Sequence, residues 1–219
     1  AQTIEAPLAV AVGLGLNLNQ PRGSMIIDMG AGTTDAATLS MGGIAACDSI
    51  PVASRDFDEA IIKYVKRNYN ILIGLATAEQ IKKRVGTAVE HTLEIAITVK
   101  GRHLHTGLPT TFEITSGEVY NAIFEKCYEI ISGIRRVIEK TPPDLVADIM
   151  TDGIYLTGGG SLLSGFDRLL EKCLGTKIHM APDPFHTAVN GAAKALKIPE
   201  ILKNVDYQYR AIQELKIEG

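Results

Sequence analysis

The residues able to do chemistry gather in two short glycine-rich stretches. The first, Asp28-Met29-Gly30-Ala31-Gly32-Thr33-Thr34-Asp35, sets a carboxylate ahead of two glycines and two threonines. Glycines let backbone N–H groups approach phosphate oxygens with no Cβ in the way, and successive N–H groups in such a turn form an anion-binding concavity. On this reading Gly30, Ala31, Gly32, Thr33 and Thr34 surround phosphates. Asp28, at a strand end, holds a hydrated Mg²⁺ through one carboxylate oxygen, a mode this ion favours. Thr33 holds a phosphate oxygen or an attacking water. The stretch lacks the Gly-Lys-Ser/Thr ending of the Walker loop. A glycine-containing hairpin with no ligand is the competing reading.

The second stretch, Thr157-Gly158-Gly159-Gly160-Ser161, follows an apolar run and precedes a helical pattern. A strand-loop-helix of this kind lets a flat ring or a ribose-phosphate lie against backbone at a helix N-terminus. Taken alone it is equally a tight strand-to-helix turn. Two such loops in one α/β chain are more specific than either. Glu79 and Lys82, three apart on one helix face, read either as contacts to a ribose and base or as a surface ion pair.

These residues need elements to position them. Apolar runs and turn signals predict a helix over Pro7–Leu14, a buried strand over Ser24–Asp28, and two strands over Asp35–Ser40 and Ile44–Ile50 joined at Met41-Gly42-Gly43. Helical spacing marks 56–69 and a second helix from Thr77 to about Val85. Strands are expected over Leu93–Val99 and Phe112–Thr115 with a polar loop between. Thr115 and Glu118 have capping-box spacing, and they open a long helix to about Ile138 whose stripe of Val119, Ile123, Cys127, Ile130 and Ile134 is core packing. A helix opened by Pro142, the strand Gly153–Thr157, a helix from about Leu162 to Cys173, the strand Lys177–Met180 and a helix over Thr187–Leu196 complete the pattern. The tail Ile201–Glu218 reads as a terminal helix or a frayed end. The order gives an α/β core, residues 1–53 and 116–219, carrying an inserted α+β lobe over residues 54–115.

Composition narrows the class. The chain has 219 residues, 46% hydrophobic and 21% charged, with net charge −3. That suits a globular protein and leaves no basic footprint for nucleic acid. No segment has the length of a membrane span and no signal peptide is visible. Three cysteines without metal-ligand spacing fit ordinary buried thiols in a reducing cytoplasm. His103 and His105 share one strand face, with no third metal ligand in sight. The chain starts at Ala1 with no Met, which reads as a cut.

In order and spacing, the stretches resemble the actin, DnaK-type chaperone and sugar-kinase superfamily. They are most similar to the MreB family of bacterial actins. The resemblance rests on Glu5 to Gly13, the loop Asp28–Asp35, Phe57-Asp58-Glu59-Ala60-Ile61, and Ile73-Gly74 through Glu79. It continues with Thr141 to Leu145, Leu156 to Leu163, and Asp183-Pro184 to Gly191. Magnetosome actins such as MamK are the nearest alternative. The resemblance implies an actin-like ATPase fold with an RNase-H-like sheet and an ATP/ADP site with Mg²⁺. It also implies filaments of the protein itself at the inner face of the cell membrane, and work alongside cell-shape or organelle-positioning proteins. Asp28 would serve the metal, Gly30, Gly32 and Thr33 the phosphates, Glu79 and Lys82 the adenosine, and Gly158, Gly159 and Gly160 the pocket floor.

Three departures follow from the same resemblance. The family's opening half, which carries another phosphate loop and membrane-binding elements, is not in this chain. The position matching the water-polarising glutamate is Ala6, and a methyl group neither accepts a proton nor orients water, so slow hydrolysis is expected. The usual Gly-Gly before the Phe-Asp pair reads Ala53-Ser54. An actin-fold ATPase of the chaperone or kinase class, or a nucleotide-free adaptor, stay open as other readings.

Overall fold

The computed structural model describes residues 4–90 and 94–197; Leu93, where a strand is expected to begin, and the tail expected as a terminal helix or a frayed end lie outside the described residues. A five-stranded mixed sheet forms the centre, in the order β3-β2-β1-β7-β8. Its strands are β1 (Ser24–Met29), β2 (Thr34–Ser40), β3 (Gly43–Ile50), β7 (Ile154–Thr157) and β8 (Ile178–Met180). The first three run as an antiparallel meander, while β7 pairs in parallel with β1 and β8 with β7. β1 is central and covered on both faces, so it reads as an unbroken apolar run up to Asp28. The β2–β3 turn is Met41-Gly42 with φ of 49° and 77°. Both central residues lie in the left-handed region, the geometry that matches strand twist in a two-residue hairpin.

Two helices cross on one face of this sheet, α1 (Ala6–Leu14) and α7 (Thr187–Lys197). α1 is apolar all round because it is buried on both sides, between the sheet and α7. Gly15 ends it in the left-handed conformation, and the amide of Leu16 donates to Ala11 O at 3.0 Å. The helices meet backbone to backbone. A Cβ on Gly191 would collide with the carbonyl of Ala9, and one on Gly13 with the carbonyl of Thr187.

The other face carries α4 (Ser116–Lys140), which joins the central sheet to a smaller one. Its stripe of Val119, Ile123, Cys127, Ile130 and Ile134 is buried, as the helical spacing predicts. Thr115 and Glu118 form a reciprocal cap: Glu118 N–H donates to the Thr115 hydroxyl at 3.3 Å, and Thr115 N–H to the Glu118 carboxylate at 2.9 Å. The small sheet, order β4-β5-β6, consists of β4 (Ile71–Leu72), β5 (Ala96–His103) and β6 (Pro109–Thr115). With α2 (Ser54–Tyr69) and α3 (Leu75–Val85) it occupies the stretch between residues 54 and 115. One apolar cluster nevertheless runs from Met25 and Ile27 through Phe57 and Ile61 to Ile97 and Ile114, so both sheets share a core.

Several elements depart from the sequence expectations. β5 and β6 reach His103 and Pro109, shrinking the polar loop. Lys100 and Gly101 pair with Thr111 and Thr110, since an exposed hairpin arm accepts polar side chains. α5 (Pro143–Asp152) begins at Pro143, with Pro142 as its cap residue. The helix expected from Leu162 is divided. A 3₁₀ turn over Gly159–Leu162 is followed by α6 (Phe166–Leu174), because Gly158 and Gly165 sit at φ of 86° and 73°, outside helical space.

The α1–α7 crossing yields a stability test. Gly191→Ala forces two backbones apart and is expected to cost about 1–3 kcal/mol in urea unfolding. Gly74→Ala, where a Cβ meets nothing within 4 Å at φ −87°, is expected to cost far less. Equal effects would show that the close crossing is unimportant.

Candidate functional site

β1 and β7 are neighbours and parallel, so both predicted glycine loops emerge at the same edge of the sheet. Asp28 pairs with Thr157 in register. The loops then touch. A Cβ on Gly158 would sit 2.5 Å from Asp28 Oδ1 and inside the Met29 carbonyl, and Gly158 also requires φ of 86°. A Cβ on Gly160 would lie 2.7 Å from Met29 Cγ and 3.0 Å from Gly30 O. Each glycine is the only residue that lets its strand end approach the other so closely.

The first loop is a tight turn strapped to a helix start. Gly30 N–H donates to Thr33 O at 2.9 Å. The amides of Ser54 and Arg55, at the beginning of α2, donate to Gly30 O and Ala31 O at 3.3 and 2.8 Å. This fixes the loop from its carbonyl side. The N–H groups of Ala31, Gly32 and Thr33 take no acceptor among the described residues, and all three residues are exposed. A Cβ at Gly32 would meet nothing within 4 Å. Three unspent donors on a braced turn are available to an anion.

α2 and α3 form the facing wall, tied together by a buried ion pair. Lys82 Nζ lies 2.8 Å from Asp58 Oδ1 and donates to the carbonyl and hydroxyl of Ser54 at 2.9 and 2.7 Å. Both charged residues are under 10% exposed. Asp58 Oδ1 has the ammonium at ion-pair distance but no donor aligned on it. Burial accordingly raises the Asp58 pKa, and Lys82 opposes that rise. Breaking such a pair strands a buried charge, so it is a rigid brace rather than a large net gain. Ser54 supplies the lysine's remaining acceptors. Ala53 offers no capping oxygen, so only half of a capping box remains, the Asp56 carboxylate accepting from Ala53 N–H at 2.8 Å.

Glu79 and Lys82 do not pair with each other, which corrects the ion-pair reading of their spacing. Glu79 meets Lys83 at 2.7 Å, one turn on, and Lys83 lowers its pKa. Lys82 faces inward to Asp58.

Between these walls lies a cavity of about 660 Å³. It brings together Gly30, Ala31, Glu79, Lys82, Gly159 and Gly160 from the sequence-predicted set. Asp28, Gly32, Thr33, Thr34, Gly158 and Ser161, also predicted, do not line it. Thr34 is buried with its hydroxyl donating to Val52 O at 2.8 Å, and Ser161 donates to Gly158 O at 2.6 Å to hold the 3₁₀ turn. Strand alternation turns Thr34 into the core, which no loop motif shows. Asp28, Gly32 and Thr33 stand on the phosphate-loop side, where Thr33 Oγ1 is 3.4 Å from Asp35 Oδ2. Ser54, singled out by the sequence as a departure beside the pocket, lines the cavity; sequence reasoning missed Lys83, Gly86, Leu162, Leu163, Ser164 and Phe185, which also line it.

Asp28 is half-buried, and its pKa is raised above 3.8 by burial and then by Asp35 opposite it across the β1–β2 pair. Two facing carboxylates with a turn of free N–H groups suit a hard cation bridging to phosphate oxygens. Among the described residues no three His, Cys, Asp or Glu side chains gather as a cage. Mg²⁺ needs none, because it keeps waters and takes one or two carboxylates plus phosphates.

Elsewhere the bland readings stand with one change. His103 Nδ1 accepts from the amides of His105 and Thr106 and organises the hairpin tip. Cys127 is buried, its thiol pushed up to about 12 by burial, but Cys47 is exposed, against the expectation of three buried thiols. It stands on β3, whose outward positions alternate to solvent.

Comparison with known proteins places this geometry. Residues 1–204 match the family described as MreB/Mbl protein. The cell shape-determining protein MreB of Escherichia coli K12 is 42% identical over 195 residues, covering 89% of this chain and 56% of that protein. The crystal structure of MreB5 of Spiroplasma citri bound to ADP superposes with a TM-score of 0.86 at 36% identity, covering 90% of this chain and 60% of that one. A MamK double helical filament shares the fold, with a TM-score of 0.72 at 20% identity, covering 88% and 58%. The chain thus spans under two thirds of the length of these relatives. The actin-like expectation for the fold holds.

The Asp28 environment has a signed consequence. A folded-state pKa above the unfolded value means that the folded form favours the protonated acid. Its contribution to stability is complete below about pH 3.8 and is lost as pH rises through the folded value. At neutral pH the carboxylate is therefore a cost to the ligand-free fold. Asp28→Asn is expected to raise the Tm of ligand-free protein at pH 7, with the gain disappearing in acid, while Mg²⁺-dependent ligand binding weakens. A lower Tm at pH 7 would contradict this assignment.

Proposed function

The chain belongs to the MreB/Mbl family, and on that footing we propose that it is the nucleotide-binding part of a bacterial actin-like cytoskeletal protein that takes ATP with Mg²⁺ and assembles with copies of itself. The observation that carries the reading is the convergence of two glycine loops on one cavity, the first with free amides beside a carboxylate and the second with Gly159 and Gly160 in the cavity lining. The S. citri relative, solved bound to ADP and again bound to AMPPNP, supports the ligand class.

Each residue then has a role. The amides of Ala31, Gly32 and Thr33 hold phosphate oxygens, with Gly30 closing the turn. Asp28 holds the hydrated Mg²⁺, which supplies charge neutralisation for the phosphates when bound. The Thr33 hydroxyl holds a water near the terminal phosphate. Gly159 and Gly160 floor the adenosine, and Gly158 lets the second loop close on Asp28. Glu79 and Lys83 edge the ribose, and Lys82 fixes Ser54 and through it the phosphate loop. Residues 54–115 form the smaller lobe, and differential affinity for nucleotide in the assembling state makes ATP a switch. The protein acts in the cytoplasm at the inner face of the membrane with cell-shape proteins. No described helix is long and apolar enough to cross that membrane. An organelle-positioning role of the MamK type is the second reading, favoured only by the shared fold.

Ala6, exposed at the first position of α1, leaves the water without a carboxylate partner, so hydrolysis is slow. Two measurements test these readings on the intact protein. Sedimentation with Mg·ATP is expected to pellet it and sedimentation without nucleotide to leave it soluble; nucleotide-independent behaviour would refute the switch. Ala6→Glu is expected to raise phosphate release by roughly 10²-fold, the usual yield of a placed general base, with little change in KM. An unchanged rate would remove Ala6 from the account.

A further inference from the structure

Phe185 is a large aromatic side chain left 64% exposed on a segment that is otherwise tied down. Gly158 N–H donates to Pro184 O at 3.1 Å, and the Thr157 hydroxyl donates to the same oxygen at 3.2 Å. The Thr187 hydroxyl donates to Asp183 O at 2.6 Å. Thr157 and Thr187 are buried. The backbone on either side of Phe185 is thus pinned to the second glycine loop, and the ring has a defined place. It rests on Gly159. A Cβ there would lie 2.6, 3.1 and 3.2 Å from three ring atoms, so glycine is what lets the ring settle against the loop. The remainder of the ring faces the 660 Å³ cavity.

The cavity lining mixes two kinds of residue. Gly30 and Ala31 belong to the loop with the free amides, and Leu162, Leu163 and Phe185 bring apolar side chains. Leu162 is itself 52% exposed. Exposed apolar side chains lining a concave site mark where an apolar part of a ligand goes. An aromatic face prefers a flat π-system.

Resting on the nucleotide reading above, we propose that Phe185 is the base-stacking residue of this site: its ring, seated on Gly159, takes the purine of the nucleotide by its face while the Asp28–Asp35 loop takes the phosphates. Stacking contributes binding at the base alone. Loss of the ring therefore weakens a nucleotide and spares a bare polyphosphate.

Calorimetric titration of the intact protein with Mg·AMPPNP and, separately, with Mg·tripolyphosphate reads this difference. Phe185→Ala is expected to weaken AMPPNP about tenfold, in the range found when a stacking aromatic is truncated, and to change tripolyphosphate by less than about twofold. Phe185→Trp is expected to keep AMPPNP affinity. Because the ring is exposed, its truncation removes no core contact. AMPPNP affinity unchanged in Phe185→Ala, or equal losses for both ligands, overturns the proposal. A wild-type protein that binds tripolyphosphate but not AMPPNP, or binds neither, overturns the nucleotide reading itself and this inference with it.

Discussion

The contact on which the site depends is the one between two strand ends. β1 and β7 lie side by side in parallel, with Asp28 opposite Thr157. Beyond that pair no side chain fits: Gly158 abuts Asp28 and Met29, and Gly160 abuts Met29 and Gly30. In open α/β sheets, ligands collect at the carboxyl ends of the strands, where loops diverge. Here the loops first touch and then diverge, and the separation between them is the cavity.

Rigidity on the far side comes from a different source. The phosphate loop is held by two amides at the start of α2, and α2 is held to α3 by the Lys82–Asp58 pair. A loop whose carbonyls are spent and whose amides are free is preorganised for an anion, so little ordering is left to be done on binding. The same brace gives Lys82 a structural task. Its ammonium is engaged by Asp58 and Ser54, and Glu79 with Lys83 faces the cavity. One core passes beneath both sheets, so a change at the loop is felt by α2, α3 and the smaller sheet through packed side chains.

Local signals made much of this legible. The strands around the first glycine loop, the Thr115–Glu118 cap, the stripe on α4 and the two glycine clusters each rest on residues close in the chain. What stayed hidden depends on residues far apart in it. β4 is two residues long, and only its pairing with Arg102 and His103 makes it a strand. The spacing of Glu79 and Lys82 left nucleotide contacts and a mutual ion pair both open, but burial of Asp58 drew Lys82 inward, since a buried carboxylate needs a counter-charge more than an exposed one does. Thr34 belongs to the loop motif in sequence, yet strand alternation turns it into the core. Phe185 lies inside the Asp183-to-Gly191 stretch, but nothing in that stretch marks its place, which follows from Pro184 O accepting from Gly158 N–H and from the Thr157 hydroxyl.

The central claim is that the two glycine loops serve one ligand. Hydrogen–deuterium exchange of the intact protein, with and without Mg·AMPPNP, tests it most directly. Slower exchange is expected at residues 30–34 and at 158–163 together, over one range of AMPPNP concentration. Protection of one loop without the other, or at separate concentrations, would show two unrelated turns and contradict the account.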